Sequence, residues 1–208
     1  MSFQITEEEG ELLVKLARKA VEEFLKTKGH VPVPKDIPEK LLQRCGVFVT
    51  LNSFKRGGKE LRGCIGYPYP TDPLVHSVIE SAICSATQDP RFCPLSLDEL
   101  DKTVFEISVL TPPQAIEVKK PTEYPSKIKI GEDGLIVERG MFKGLLLPQV
   151  PVEWNWDQEE FLCQACCKAG LSPDCWLMKN TVIYKFQAII FEEEEPAGKV
   201  KRRVLGGT

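Results

Sequence analysis

The chain has 208 residues, and its 27 Lys and Arg against 30 Asp and Glu give a formal net charge of −3. A hydrophobic fraction of 42% is that of an ordinary globular protein, long enough to bury the core of one large or two small domains. The acidic balance disfavours general nucleic-acid binding, which needs a basic surface. No apolar run approaches the roughly 20 residues of a membrane helix, and the first residues lack a secretory pattern. We therefore expect a cytoplasmic protein without a membrane partner.

Hydrophobic periodicity and capping patterns predict the elements of the chain. A first helix begins with a Thr6–Glu9 capping box and ends at Gly29. A strand at 46–54 follows, and then a short strand at 61–67 that opens into a loop. The next helix is capped by Asp72 and stops before Asp89, and a capped turn at 96–100 leads to a strand at 103–110. The second half contains a hairpin of 127–130 and 135–138, a helix from Asp157 to Lys168 and a long strand at 181–192. This order predicts an α+β fold with a mixed, largely antiparallel sheet flanked by helices.

The last segment, 196–208, is basic and follows the acidic run 192–195. Its cations are Lys199, Lys201, Arg202 and Arg203. Adjacent runs of opposite charge at a chain end are typical of a solvated segment, so we expect a flexible tail there.

Chemistry is most strongly indicated in residues 61–66, which read LRGCIG. Cys64 lies between Gly63 and Gly66, and glycines let backbone amides approach a ligand or an oxyanion closely. Arg62 stands two residues before Cys64, so in extended chain both side chains would share a face. A guanidinium there would lower the pKa of the thiol. The alternative is a buried cysteine in a tight bend, with the glycines present for packing.

The sequence contains eight cysteines, four of them close together near the C-terminus: Cys163, Cys166, Cys167 and Cys175. Structural zinc takes paired thiolates from turns, whereas three of these thiols would share one helical face. We therefore interpret them as small buried hydrophobic residues, and predict no metal site and no cofactor. A reducing compartment makes free thiols the expectation before disulfides.

Three further positions have two interpretations each. His76 could pair with Cys64 as a catalytic base, or be an ordinary helix residue. Arg91 could clamp a carboxylate or phosphate, or simply hold a helix-stop turn together with Asp89. Glu106 is a charged residue in an apolar strand, so it lies either on a solvent face or beside a partner in a cleft.

Residues 61–66 resemble the signature hexapeptide of the AMMECR family. The agreement continues through the segments DPRFCPL at 89–95, EISVLTP at 106–112, GLIV at 134–137, GLLLPQV at 144–150, WD at 156–157 and KAGL at 168–171. The resemblance covers residues 7–195, which leaves 196–208 as the tail. It implies a larger subdomain built from both chain ends, a smaller inserted subdomain and a cleft between them that the signature lines.

The resemblance implies a site but no particular reaction. Prokaryotic members are named AmmeMemoRadiSam system protein A, beside a Memo-type and a radical-SAM protein. Carried over by position, the candidates are Cys64 and Arg62 as catalytic residues and Gly63, Gly66, Asp89, Arg91, Phe92 and Glu106 as substrate-binding residues. Two functions stay open. One is an enzyme, or enzyme component, whose thiol acts on a small molecule or nucleotide held by arginines; the other is a non-catalytic adaptor for a Memo-like or radical-SAM partner.

Overall fold

The computed structural model describes residues 4–55 and 58–205. Its α-helices are α1 (Glu7–Thr27), α2 (Leu74–Thr87), α3 (Leu97–Leu100), α4 (Gln149–Glu153) and α5 (Gln158–Lys168). Its strands are β1 (Gly46–Lys55), β2 (Gly58–Tyr67), β3 (Thr103–Leu110), β4 (Gln114–Ala115), β5 (Asp133–Arg139), β6 (Phe142–Leu146), β7 (Val182–Glu193) and β8 (Val200–Arg203). Short 3-10 helices lie at Glu39–Leu42, Pro121–Glu123, Pro125–Lys127 and Pro173–Leu177. The predicted α+β class is confirmed.

The chain forms two compact units. The first combines the chain up to Leu110 with Ile189–Arg203, and the second is built mainly from Thr111–Ala188. Two separate stretches of the chain thus make up the first unit, and most of the second unit lies between them in the sequence.

In the first unit the strands lie in the order β2-β1-β3-β7, and β8 pairs with the end of β7. β1 runs antiparallel to both β2 and β3. Alternate β1 side chains, those of Val47, Val49 and Leu51, are fully buried in a core shared with α1 and α2. Because successive strand residues point to opposite faces, Thr50 lies on the face turned away from these helices.

The two long helices of this unit bury apolar stripes. α1 begins at the predicted capping box of Thr6 and Glu9, but it ends with Lys28 in the left-handed conformation rather than at Gly29. α2 begins at Leu74, where Pro73 occupies the N-cap position without a side-chain cap, so the prediction that Asp72 caps it is wrong. α2 is buried on two sides. Leu74, Val78, Ala82 and Ala86 join the sheet core, while Val75, Ile79 and Ile83 pack with α1 residues Leu16 and Ala20.

The second unit centres on β5, which is antiparallel to β6 and to the first part of β7. The predicted hairpin of 127–130 with 135–138 is wrong, since β5 turns at Gly140 (φ 61°) into β6. Residues Pro125–Lys127 are 3-10 helical, and the Asp133 carboxylate closes the following turn by accepting the Lys129 N–H at 3.0 Å. The N–H of Lys129 is thus bonded to the Asp133 carboxylate and not to a neighbouring strand.

Two segments are more regular than the sequence predicts. β2 is a full strand of ten residues rather than a short strand that opens into a loop. The expectation of a flexible tail is wrong for Val200–Arg203, which pairs antiparallel with β7. There the basic residues lie beside acidic ones, as Lys201 beside Glu192, so opposite charges support the pairing. None of the helices within the described ranges is long and apolar enough to cross a membrane.

A disulfide joins Cys166 of α5 to Cys175 of the 3-10 helix Pro173–Leu177. Both residues are fully buried in the core of the second unit. The expectation of packing explains their burial, but the expectation of free thiols is wrong for this pair. Cys163 and Cys167 stay free, and Cys167 is exposed.

We predict that the Cys166→Ala/Cys175→Ala double variant is less stable to urea than the wild type by about 2–3 kcal/mol. The reason is that the disulfide restricts the unfolded chain across a loop of this length. Urea titrations under non-reducing conditions measure the difference, with Cys167→Ala as the control that keeps the bond. Alkylation of all eight cysteines in unfolded, unreduced protein would contradict the assignment.

Candidate functional site

The candidate site of the first unit is centred on Cys64 in β2. Thr50 of β1 lies directly opposite Cys64 on one side and directly opposite Glu106 of β3 on the other. Opposed residues of neighbouring strands project from the same sheet face, so these side chains form a row turned away from α1 and α2. The Thr50 hydroxyl donates to the Cys64 sulfur at 3.3 Å.

The backbone amides at the thiol are already bonded. The N–H of Cys64 donates to Asp89 Oδ2 at 2.8 Å, and the N–H of Ile65 donates to Ser85 Oγ at 2.7 Å. The Ser85 hydroxyl in turn donates to the Val49 carbonyl at 2.7 Å. The expectation that amides here are free to hold an oxyanion is therefore wrong for these two groups.

The glycines of the hexapeptide allow close backbone packing. A Cβ at Gly63 would lie 2.1 Å from the carbonyl oxygen of Ser85, and one at Gly66 would lie 2.2 Å from that of Val47. Neither position has room for a side chain, which favours the packing interpretation. A substrate-binding role for these glycines stays a prediction.

Asp89 holds Arg91 against the site. The carboxylate is buried and accepts from Arg91 Nε at 2.9 Å, from Nη2 at 2.6 Å and from the Arg91 N–H at 3.1 Å. Nη2 also donates to the Cys64 carbonyl at 3.4 Å. The helix-stop interaction is thus present, yet 46% of the Arg91 side chain is exposed. The same turn that ends α2 presents a fixed cation next to the thiol.

Arg62 does not act on the thiol in the expected way. The strand pairing passes from Gly63 to Leu61 and skips Arg62, which marks a β-bulge that breaks the two-residue alternation. Arg62 donates through Nε and Nη2 to Glu99, at 3.0 and 3.2 Å. Its guanidinium carbon lies 5.8 Å from the Phe92 ring centre, and that of Arg91 lies 5.4 Å from the same centre. Phe92 therefore contacts both guanidinium groups.

The pKa of the Cys64 thiol is raised, so the expectation of a lowered pKa is wrong. Burial is the largest cause, and the negative charges of Glu106 and Asp89 act in the same direction. The hydrogen bond from Thr50 and the charge of Arg91 oppose the shift without reversing it. Cys64 is therefore a neutral thiol at pH 7.

Glu106 has a partner rather than a solvent face. Its carboxylate is buried and accepts from Arg203 Nη1 of β8 at 2.7 Å. Arg203 was not predicted as a site residue, because its segment has the charge pattern of a flexible tail. Thr50 and Ser85 were not predicted either, because their roles depend on strand register and helix packing. Glu99 alone had a local signal, since it belongs to the Ser96 capping box.

His76 is exposed on α2 and is not among the groups that influence the Cys64 thiol. In the described part of the chain, no three His, Cys, Asp or Glu side chains are arranged to hold a metal ion. The site thus consists of a thiol, two guanidinium groups, an aromatic ring and buried carboxylates.

Residues 14–191 match the model of a protein family described as AMMECR1. The chain belongs to the AMMECR1 family. It is 58% identical over 206 residues to Protein PH0010 of Pyrococcus horikoshii. That alignment covers 99% of this chain and 100% of the relative. A protein of Methanothermobacter thermautotrophicus is 55% identical over 190 residues, 91% of this chain and 97% of that one. The fold is similar to the crystal structure of the uncharacterized protein PH0010 from Pyrococcus horikoshii, with a TM-score of 0.93 between the two structures and 57% sequence identity. The alignment covers 97% of this chain and 99% of that chain.

The AMMECR1 match extends over both units and includes the thiol-site residues from Thr50 to Glu106. Arg203, the partner of Glu106, lies beyond the matched residues. The family match therefore supports the fold of the site, while its closure by β8 is a feature of this structure.

We predict that Cys64 reacts with iodoacetamide along a pH profile whose midpoint lies above the ordinary thiol value of about 8.5. Arg91→Gln should move the midpoint higher, because a nearby positive charge favours the thiolate. Arg62→Gln should leave it unchanged. Peptide mass analysis of modification rates between pH 6 and 11 measures each profile, and a wild-type midpoint below 8.5 would contradict this electrostatic description.

A second prediction concerns Asp89, whose pKa is lowered to about 2, first by the hydrogen bonds from the Arg91 side chain. Since the folded pKa lies below the ordinary value of about 3.9, this carboxylate stabilises the fold above pH 4, and the contribution is lost between pH 4 and 2. Asp89→Asn should cost about 1–2 kcal/mol at pH 7, because the exposure of Arg91 weakens the pair.

Urea unfolding at pH 7, 4 and 2.5 tests this prediction. The stability difference between wild type and Asp89→Asn should shrink as the pH falls, whereas exposed Asp36→Asn should match the wild type throughout. A difference that is independent of pH would show that charge is not the cause.

Proposed function

We propose that the site around Cys64 binds a small molecule through its anionic group, with Arg91 as the anchor and Cys64 as a neutral thiol that contacts the ligand. The observation that carries this proposal is the Arg91 guanidinium. It is fixed by a buried carboxylate, yet almost half of its side chain is exposed. A cation held in one geometry before binding loses little freedom when it takes an anion.

The hydrogen-bond geometry indicates which part of Arg91 is available. The bonds of the guanidinium within the described residues use Nε and Nη2. The Nη1 group thus has both of its hydrogens for a carboxylate or phosphate oxygen. Asp89 neutralises part of the Arg91 charge, so selectivity would come from the direction of these donors as well as from net charge.

Phe92 supports a ligand that has an apolar or planar part. Its ring lies within 6 Å of the guanidinium carbons of both Arg62 and Arg91. Arginine planes and aromatic rings stack well on flat groups, so a nucleotide or another planar anion fits this chemistry.

The raised pKa of Cys64 favours a role in which the thiol contacts the ligand over a role as a nucleophile. A nucleophilic cysteine must be a thiolate, whereas burial and two carboxylates raise the pKa of Cys64. A bound anion would raise that pKa further, because a second negative charge disfavours the thiolate. If the protein is an enzyme, we therefore propose that Cys64 orients the ligand as a neutral thiol and does not attack it.

The alternative function is an adaptor for a Memo-like or radical-SAM protein. One observation favours it: the turn between β5 and β6 exposes 95% of Met141 and 53% of Phe142. In the adaptor alternative, these two neighbouring apolar side chains form part of the contact with the partner. An unreactive Cys64 is also consistent with this alternative.

The experiment measures the protection of Cys64 from iodoacetamide at pH 9 by inorganic phosphate and by adenosine monophosphate, together with calorimetric titration of each probe. We expect both probes to slow alkylation, the nucleotide at lower concentration because of stacking. Arg91→Gln should weaken binding about tenfold, and Arg91→Lys by less. The control Arg44→Gln removes an exposed arginine elsewhere in the same unit and should bind as the wild type does.

Equal alkylation rates with and without both probes would refute the anion site. The adaptor alternative predicts that result, and in addition predicts that a Met141→Ser/Phe142→Ser variant loses binding to a Memo-like protein while keeping its fold. Full probe binding by Arg91→Gln would also refute the proposal.

A further inference from the structure

A group of three cysteines in the second unit is separate from the residues around Cys64. Cys166 of α5 is bonded to Cys175 of the 3-10 helix Pro173–Leu177, and both residues are 0% exposed. Cys163 of α5 is a free thiol that is partly buried, and it packs against the same hydrophobic core that contains the two bonded residues. The free thiol and the disulfide therefore belong to one cluster.

Helix geometry places Cys163 beside the sulfur of Cys166. Residues three apart on an α-helix lie on the same face, with Cβ atoms about 5–6 Å apart. Helix side chains also point back toward the amino end, so the side chain of Cys166 leans over the turn that carries Cys163. Cys167 projects about 100° away from Cys166 around the helix and is exposed. Cys163 is thus the free thiol of α5 that lies next to the disulfide.

A reductant in solvent has no direct access to this disulfide. Thiol–disulfide exchange requires a thiolate to reach one of the two bonded sulfur atoms, and both bonded residues are buried. Cys163 is partly exposed and also packs against the core of the bonded pair. Its thiol therefore connects the solvent with the buried bond.

We propose that Cys163 is the exchange thiol through which the buried disulfide responds to thiol reductants. The Cys163 thiolate attacks the sulfur of Cys166, so that a bond forms between these two residues and the bond between Cys166 and Cys175 breaks. The electron pair of the broken bond leaves with the sulfur of Cys175, which takes up the proton that Cys163 lost. The numbers of disulfides and thiols are unchanged, so the step needs no oxidant or reductant.

The exchanged bond is open to reduction by a small dithiol. The dithiol attacks the sulfur of Cys163 and then closes to its own cyclic disulfide, which returns Cys163 and Cys166 to thiols. Cα atoms three residues apart in a helix are about 5 Å apart, within the range of disulfides, so the intermediate can form inside α5. Its Cβ atoms must approach to about 4 Å, which strains the bond and makes it easy to reduce. Reduction removes the covalent link between α5 and the 3-10 helix.

Tryptic peptides distinguish the native bond from the exchanged one. Trypsin yields the peptides 144–168 and 169–179. The first contains Cys163 and Cys166, and the second contains Cys175. The native bond joins the two peptides, whereas the exchanged bond lies within the first and leaves a free thiol in the second. Mass analysis after acid quenching and alkylation therefore follows each state.

The test measures how fast dithiothreitol reduces the native bond in the folded full chain at pH 8. We expect Cys163→Ser to lose the link between the two peptides about tenfold more slowly than the wild type, because the reductant then has no exchange thiol to act through. Cys167→Ser removes an exposed thiol of the same helix and should react at the wild-type rate. A less stable fold would open more often and react faster, so destabilisation cannot explain slow reduction.

A second measurement identifies the sulfur that is attacked. With iodoacetamide present at pH 9 and no reductant, the wild type should accumulate alkylated Cys175 together with a bond inside the peptide 144–168, and Cys163→Ser should not. Alkylation of Cys166 in place of Cys175 would contradict attack on the Cys166 sulfur. Reduction of Cys163→Ser as fast as that of the wild type would overturn the proposal.

Discussion

The thiol site depends on one buried carboxylate. Asp89 accepts the amide of Cys64 in β2, and it accepts both the amide and the guanidinium of Arg91. A buried carboxylate without such donors would be strongly destabilising, so the end of α2, the strand and the arginine are held in one arrangement. Gly63 makes the arrangement sterically accessible, because any side chain there would collide with the Ser85 carbonyl.

Local signals predicted most of the fold. The capping boxes at Thr6 and Ser96 mark helix starts because their hydrogen bonds span only three residues. The predictions failed where pairing is non-local. Gly134 and Gly140 both resemble turn residues, and only the register with β7 shows that the chain turns at Gly140. β8 has a charge pattern that is typical of a tail, and its strand exists because β7 offers it an edge.

The residues of the candidate site could be predicted only in part, because local spacing is visible in the sequence and pairing between strands is not. Asp89 and Arg91 are two residues apart, so their pairing is visible in the sequence. Arg62 was assigned to the thiol by simple strand alternation, which the β-bulge breaks. Thr50 was missed because its position between two strands depends on pairing across the sheet, and the bond between Cys166 and Cys175 depends on how α5 packs.

The protonated state of Cys64 has a consequence for oxidative damage. Peroxides attack thiolates, so a half-buried thiol with a raised pKa converts slowly to sulfenic acid. Cys93 and Cys167 are exposed and would be oxidised first, while Cys166 and Cys175 are already at the disulfide level. Exposure and protonation therefore order the free cysteines, so that oxidation at Cys93 and Cys167 is expected before oxidation at Cys64.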